Sequence, residues 1–172
     1  FHPTEGVCFT YCRTTIGGND YSRNWYSLND TEGDFKMKNF SIERDKEALI
    51  PYIKSALAIN PDMKLWACPW SPPTWMKTNR HYATKSGDHN DLKEEDQVLE
   101  GDHFIQEKKY LDAHALYLSK YVKAYQKEGI DISMIQFQNE PYSRQQWPTC
   151  LWTPDAMRNF IANHLGPLFK KK

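Results

Sequence analysis

The chain has 172 residues, 40% of them apolar and 14% aromatic, and its 22 Lys plus Arg are balanced by 22 Asp plus Glu. Zero formal charge excludes a net field that would draw it to nucleic acid or to an anionic bilayer, and suits a neutral ligand. The apolar content is enough for the core of an ordinary single domain.

In chain order, residues 6–13 read as a short apolar strand ending in Arg-Thr-Thr, followed by the turn-rich Ile16-Gly-Gly-Asn-Asp20. A long loop over residues 21–39 leads to a segment, 41–59, in which Leu49, Ile53, Ala56 and Leu57 recur at helical spacing. Glu43 and Asp45 fall where a helix N-terminus favours negative charge, and Pro51 marks a break or a first-turn position. Residues 64–68 form a second compact strand that runs into Pro69-Trp-Ser-Pro-Pro-Thr-Trp75, which continues neither strand nor helix. Two tryptophans are thereby held at a strand tip. Residues 78–102 are polar and aperiodic, a solvated excursion of the length that in compact domains serves function or flexibility.

Residues 110–128 carry the clearest helical stripe, Leu111, Ala115, Leu118, Val122 and Tyr125, with Gly129 as the stop. Residues 130–138 form a third strand, more apolar than alternating, as a strand covered on both faces would be. Thr153-Pro-Asp announces a last helix by an N-cap and a proline at its first position; Met157, Phe160, Ile161 and Leu165 are placed inward, and Gly166-Pro167 ends it. The alternation of strands and helices predicts an α/β fold with a parallel sheet and right-handed crossovers.

Cys8, Cys12, Cys68 and Cys150 have no zinc spacing and are too few for a disulfide scaffold; they read as small buried hydrophobes. Cys8 and Cys12 would share one strand face about 13 Å apart, too far to bridge. The six histidines are dispersed, with no H-E-x-x-H, so neither a metal nor a cofactor is expected.

The third strand runs into Gln138-Asn139-Glu140-Pro141. In a barrel of strand-helix units the strand tips form the active-site face, so a carboxylate there is aimed at substrate. Asn139 can bond a sugar hydroxyl while Glu140 gives or takes a proton, which points to glycosidic-bond hydrolysis. A closed barrel needs about 250 residues, so this reading makes the chain a piece of a larger domain. The opening Phe1-His-Pro, without initiator Met, and the closing lysine run agree with that expectation, and neither a signal peptide nor a membrane span is evident.

Five blocks taken together, Arg13-Thr-Thr-Ile-Gly-Gly-Asn-Asp20, Asn39-Phe-Ser-Ile42, Pro69 to Lys77, Gln138-Asn-Glu-Pro141 and Trp147-Pro-Thr-Cys150, resemble glycoside hydrolase family 30, the glucosylceramidase-like enzymes. The resemblance implies a retaining β-glycosidase on a TIM barrel with a small β-sandwich side domain, of which residues 1–172 would be the second to fourth strand-helix units of the eight. It implies that Glu140 is the general acid/base, that Asn139 meets the sugar 2-hydroxyl, and that Asp20 and Trp70 hold the sugar of the first subsite. Arg13 matches a family arginine expected to orient a catalytic carboxylate. An acid of this kind needs burial or a neighbouring carboxylate to stay protonated. The nucleophilic glutamate, near the end of the seventh strand in the family, has no counterpart here, and the side domain is absent, so this chain alone is expected to be inactive. Asn19 departs from the cysteine that many relatives place before the aspartate. The substrate implied is a β-glucosyl linkage, in a glucosylceramide-type glycolipid or a β-1,6-glucan, in a secreted or periplasmic setting.

Competing readings remain at single residues. Asp20 can serve as a turn residue capping its own loop. Trp75 reads as core, and Trp147 and Tyr142 as either packing or sugar-stacking residues. A non-catalytic carbohydrate-binding barrel is the alternative function, and a doubly wound nucleotide domain is disfavoured because Ile16-Gly-Gly-Asn opens no helix.

Overall fold

The computed structural model describes residues 1–170, so Lys171 and Lys172 of the terminal lysine run lie outside the described residues. Three strands, β1 (Tyr11–Thr15), β2 (Lys64–Cys68) and β3 (Ile132–Ile135), form one parallel sheet in the order β1-β2-β3. Parallel neighbours require crossovers, which α1 (Leu49–Ile59) and α2 (Lys108–Lys127) provide. After β3 come α3 (Pro154–Asn159), a π-helical turn (Phe160–Leu165) and α4 (Gly166–Lys170). Three consecutive strand-helix units make an α/β partial barrel, as the alternation predicts.

The helices cover one face of the sheet. Leu65 and Ala67 of β2 share a core with Ile50 and Ile53 of α1 and with Leu118 and Tyr121 of α2. Leu111, Leu118, Tyr117, Tyr121 and Tyr125 of α2 are all buried, each contributing about 1.5–3 kcal/mol through the apolar area it removes from water. The alternate residues point the other way: the register sets Arg13 against Trp66 and Trp66 against Met134. On that open face Tyr11 and Met134 are 52% and 46% exposed. In a closed barrel this face is the interior.

Several boundaries differ from expectation. β1 starts at Tyr11 because Cys8 has φ 53, which interrupts the extended run; Cys8 and Cys12 therefore share no strand face. Both are half-buried, while Cys68 and Cys150 are buried as expected, and all four are free thiols. Leu49 begins α1, with Pro51 in its first turn, and Asp45 lies in a preceding 3₁₀ turn. Asp45 is not an exposed helix-start charge. It is buried, and accepts from Tyr26 Oη at 2.7 Å and Tyr125 Oη at 2.8 Å. Burial raises its carboxyl above the ordinary range, and the two phenol bonds oppose that rise.

β3 is shorter than residues 130–138, yet its pairing continues past the strand: Gln136 N donates to Ala67 O at 3.0 Å and Asn139 N to Pro69 O at 2.8 Å. At α3 the expected cap is present, Thr153 Oγ1 accepting from Ala156 N at 3.3 Å. Gly166-Pro167, however, does not end the helix. The wide π turn places Ile161 O only 2.8 Å from where a Cβ of residue 166 would sit, which explains the glycine, and it opens the hydrogen-bond ladder ahead of a proline that cannot donate. Ile161 is 46% exposed instead of inward. Among the described residues no helix is long and apolar enough to cross a membrane.

Candidate active site

The C-terminal tips of the three strands bring four of the five predicted site residues into one neighbourhood. Arg13, from the middle of β1, reaches over β2: its Nη1 donates to Asn139 Oδ1 at 3.2 Å, and its guanidinium lies 4.6 Å above the Trp70 ring and 5.3 Å from that of Trp66. A planar cation stacked on an indole while donating to an amide is an arrangement lysine does not reproduce. Among the described residues Arg13 pairs with this amide and two indoles. Through Asn139 it holds the immediate neighbour of Glu140.

Trp70 is buried and fixed from behind. Gln138 Nε2, on a buried side chain, donates to Trp70 O and to Asn139 O, both at 2.8 Å. These bonds lock the loop after β2 to the tip of β3. Trp75 is core, as expected, with its Nε1 donating to Asn29 O at 3.0 Å.

Glu140 follows with φ 44, a left-handed backbone on a non-glycine residue placed directly before proline. Such a conformation costs about 1–3 kcal/mol and persists where its surroundings over-determine it. The side chain is exposed, and Gln145 Nε2 donates to its Oε2 at 3.4 Å. The described residues thus give Glu140 an amide partner, but neither the burial nor the second carboxylate that an acid of this type needs.

Asp20 stands apart from this group. Its turn is capped by Asn19, whose Oδ1 accepts from Tyr21 N at 2.9 Å and from Ser22 Oγ at 3.0 Å, so the capping role considered for Asp20 belongs to its neighbour. Gly17 at φ 78 makes the preceding bend, where a Cβ would lie 2.8 Å from Tyr26 O. Asp20 then lines a cavity of about 490 Å³ together with Arg23, Trp25, His89 and Trp147. Trp147 is accordingly a cavity residue and not buried packing, while Tyr142 is 60% exposed.

Sequence reasoning passed over Lys77. It is fully buried, and its Nζ donates to Ser71 Oγ at 3.0 Å, Tyr82 O at 2.6 Å and Thr149 O at 2.8 Å. Those acceptors belong to the loop after β2, the excursion and the loop after β3, so one ammonium ties together the segments that surround the strand tips. Burial pulls it down to about 7. Beside it, burial pushes the Cys150 thiol up to about 12 and lowers His103 far below the usual imidazole range. The available signal was a lone lysine in the apolar run Pro-Thr-Trp-Met, but its acceptors come from distant segments.

Comparison with known proteins agrees with this architecture. The pattern of the glycosyl hydrolase family 30 TIM-barrel domain matches residues 1–172. Putative glucosylceramidase 1 of Caenorhabditis elegans is 33% identical over 167 residues, covering 94% of this chain and 29% of that protein. The endo-1,6-beta-D-glucanase of Neurospora crassa is 33% identical over 171 residues, 97% of this chain and 32% of that protein. SrfJ from Salmonella typhimurium superposes with a TM-score of 0.79 at 30% identity, over 94% of this chain and 32% of that one. The chain therefore spans about a third of the length of the proteins it matches.

Proposed function

The chain belongs to glycosyl hydrolase family 30, and from that premise we propose that it forms the acid/base side of a retaining β-glycoside hydrolase active site, corresponding to the second to fourth strand-helix units of the barrel. Glu140 is the general acid/base. It gives its proton to the glycosidic oxygen as the bond from C1 breaks, while a second carboxylate from another part of the barrel, about 5 Å away, forms a bond to C1. Water then displaces that carboxylate as Glu140 takes the proton back. Closure of the barrel over the open sheet face supplies the burial that the described residues do not give Glu140.

The observation that carries this reading is the Arg13-Asn139-Trp70 cluster. It fixes an amide donor and an indole wall beside Glu140, as binding a sugar hydroxyl and an apolar sugar face requires. Asp20 accepts sugar hydroxyls from the cavity it shares with Trp25 and Trp147. The substrate is a β-glucosyl linkage. Glucosylceramide-type glycolipids and β-1,6-glucans are the two candidates, because the matching proteins include glucosylceramidases and endo-1,6-glucanases. Either substrate suits a secreted, periplasmic or lysosome-like setting.

Glu140→Gln in the complete enzyme, with the barrel closed and the second carboxylate in place, tests the assignment. Loss of turnover is expected to be much larger for an unactivated β-glucoside than for an aryl β-glucoside with a good leaving group, with azide restoring turnover of the latter. Equal loss on both substrates, or none, would sink it.

A further inference from the structure

We infer that Gln145 is a positioning residue for the proposed acid/base: its side-chain amide holds one oxygen of Glu140 and leaves the other to carry the transferred proton, while the excursion over residues 78–102 keeps that amide in place. This inference rests on the proposed role of Glu140.

Gln145 Nε2 donates to Glu140 Oε2 at 3.4 Å and also to Ser143 Oγ. In a neutral carboxyl the carbonyl oxygen accepts far better than the hydroxyl oxygen, so a donor fixed at Oε2 leaves the proton on Oε1. Among the described residues no ion pair includes Glu140. Arg144, four residues on, donates its Nε to Leu99 O instead. A guanidinium against Glu140 would hold the carboxylate ionised, whereas a neutral amide orients it and still lets it take up a proton.

The aim of the amide is set by the backbone that carries it. Gln145 N donates to Thr84 Oγ1 at 2.9 Å, and Gln145 O accepts from Thr84 N at 3.2 Å and Lys85 N at 3.0 Å. Thr84 is fully buried, and its own carbonyl accepts from Val98 N at 2.9 Å, so the excursion grips Gln145 from a closed turn. The next residue is held too, Gln146 O accepting from Asn90 Nδ2 at 2.7 Å. Glu140 is fixed from the other side: Asn139 N donates to Pro69 O at 2.8 Å and Ser143 N to Glu140 O at 2.9 Å. Two segments anchored separately thus meet at one amide–carboxylate bond. With both of its backbone polar atoms committed, Gln145 has only side-chain torsions left to lose in making it.

The test uses the complete enzyme, with an unactivated β-glucoside and an aryl β-glucoside of good leaving group as paired substrates. Gln145→Ala keeps the backbone bonds to Thr84 and Lys85, so its melting temperature is expected to match the parent's. Its kcat/KM is expected to fall about tenfold on the unactivated substrate and by less than about threefold on the aryl one. An amide donor favours the ionised carboxylate, so its loss moves the basic limb of the pH profile upward by about half a unit. Gln145→Glu, which sets a like charge in the donor's place, moves that limb further in the same direction. In a Glu140→Gln background, adding Gln145→Ala is expected to cost nothing more, because the carboxylate it positions is gone. A basic limb that stays put in both variants, equal loss on the two substrates, or a tenfold loss that persists in the Glu140→Gln background overturns the inference. Full turnover by Glu140→Gln alone overturns the acid/base reading instead.

Discussion

Replacing Lys77 by Met keeps most of the side-chain volume and removes the ammonium that joins three loops. Its acceptors do not suffer equally. Ser71 Oγ still donates to Pro72 O at 2.9 Å, and Tyr82 O still accepts from Thr149 N at 3.1 Å, so Thr149 O is the group left without a partner. An orphaned buried carbonyl costs about 1–3 kcal/mol, and that is the deficit expected at pH 7. The pH dependence follows from the native value of about 7 against the ordinary 10.5. Between those values the unfolded chain holds more protons than the native one, so stability rises with pH across that window. At about 1.4 kcal/mol per unit, and with half of the native groups already neutral at the lower end, the parent gains about 2 kcal/mol from this group between pH 7 and pH 9. The Met variant has no such gain. Urea denaturation at the two pH values is therefore expected to show the deficit widening by about 2 kcal/mol at pH 9. Parallel pH dependences in the two proteins, or a variant as stable as the parent at both, would refute the reasoning.

Asp45→Ala leaves the phenols of Tyr26 and Tyr125 without their acceptor and is expected to cost about 2–4 kcal/mol in thermal or denaturant melts, whereas Asp45→Asn keeps an acceptor and costs less than half as much. Because burial raises the Asp45 carboxyl, the native state binds that proton more tightly than the unfolded chain, so its contribution to stability falls as pH rises above the ordinary 3.8. Melts of the Asn variant should lack that fall. Arg13→Lys retains the charge but loses the stack on Trp70 and the guanidinium geometry at Asn139. In the complete enzyme a drop of about tenfold in kcat/KM on an aryl β-glucoside is expected with an unchanged melting temperature, and unaltered kinetics would remove Arg13 from the site.

The parts of the structure that are local in sequence were legible. β2 and the cap of α3 follow from strand composition and from Thr153-Pro154, and α2 from its stripe, because each depends on neighbours within a few residues. What escaped depends on distant partners or on a single dihedral. The left-handed Cys8 cuts β1 short, and the π turn carries a helix through a Gly-Pro pair that ordinarily stops one. Asp45 reads as a helix-start charge until two tyrosines from other segments close over it. At the site, the blocks bearing Arg13, Trp70, Asn139 and Glu140 were visible as motifs. The guanidinium bridge among the first three, the shift of Asp20 and Trp147 into a cavity of their own, and the role of Lys77 all required the parallel pairing of β1, β2 and β3 to be in place.

The backbone at Glu140 has an implication for how such a protein can change. Its φ of 44 is a conformation that glycine or asparagine adopts with less strain than glutamate. Substitution there by either would make the chain more stable while abolishing the chemistry proposed for it, so fold stability and function pull in opposite directions at one residue. A library screened for thermal resistance alone would enrich inactive variants at position 140, and a lineage released from selection for hydrolysis would lose this glutamate early while keeping the barrel.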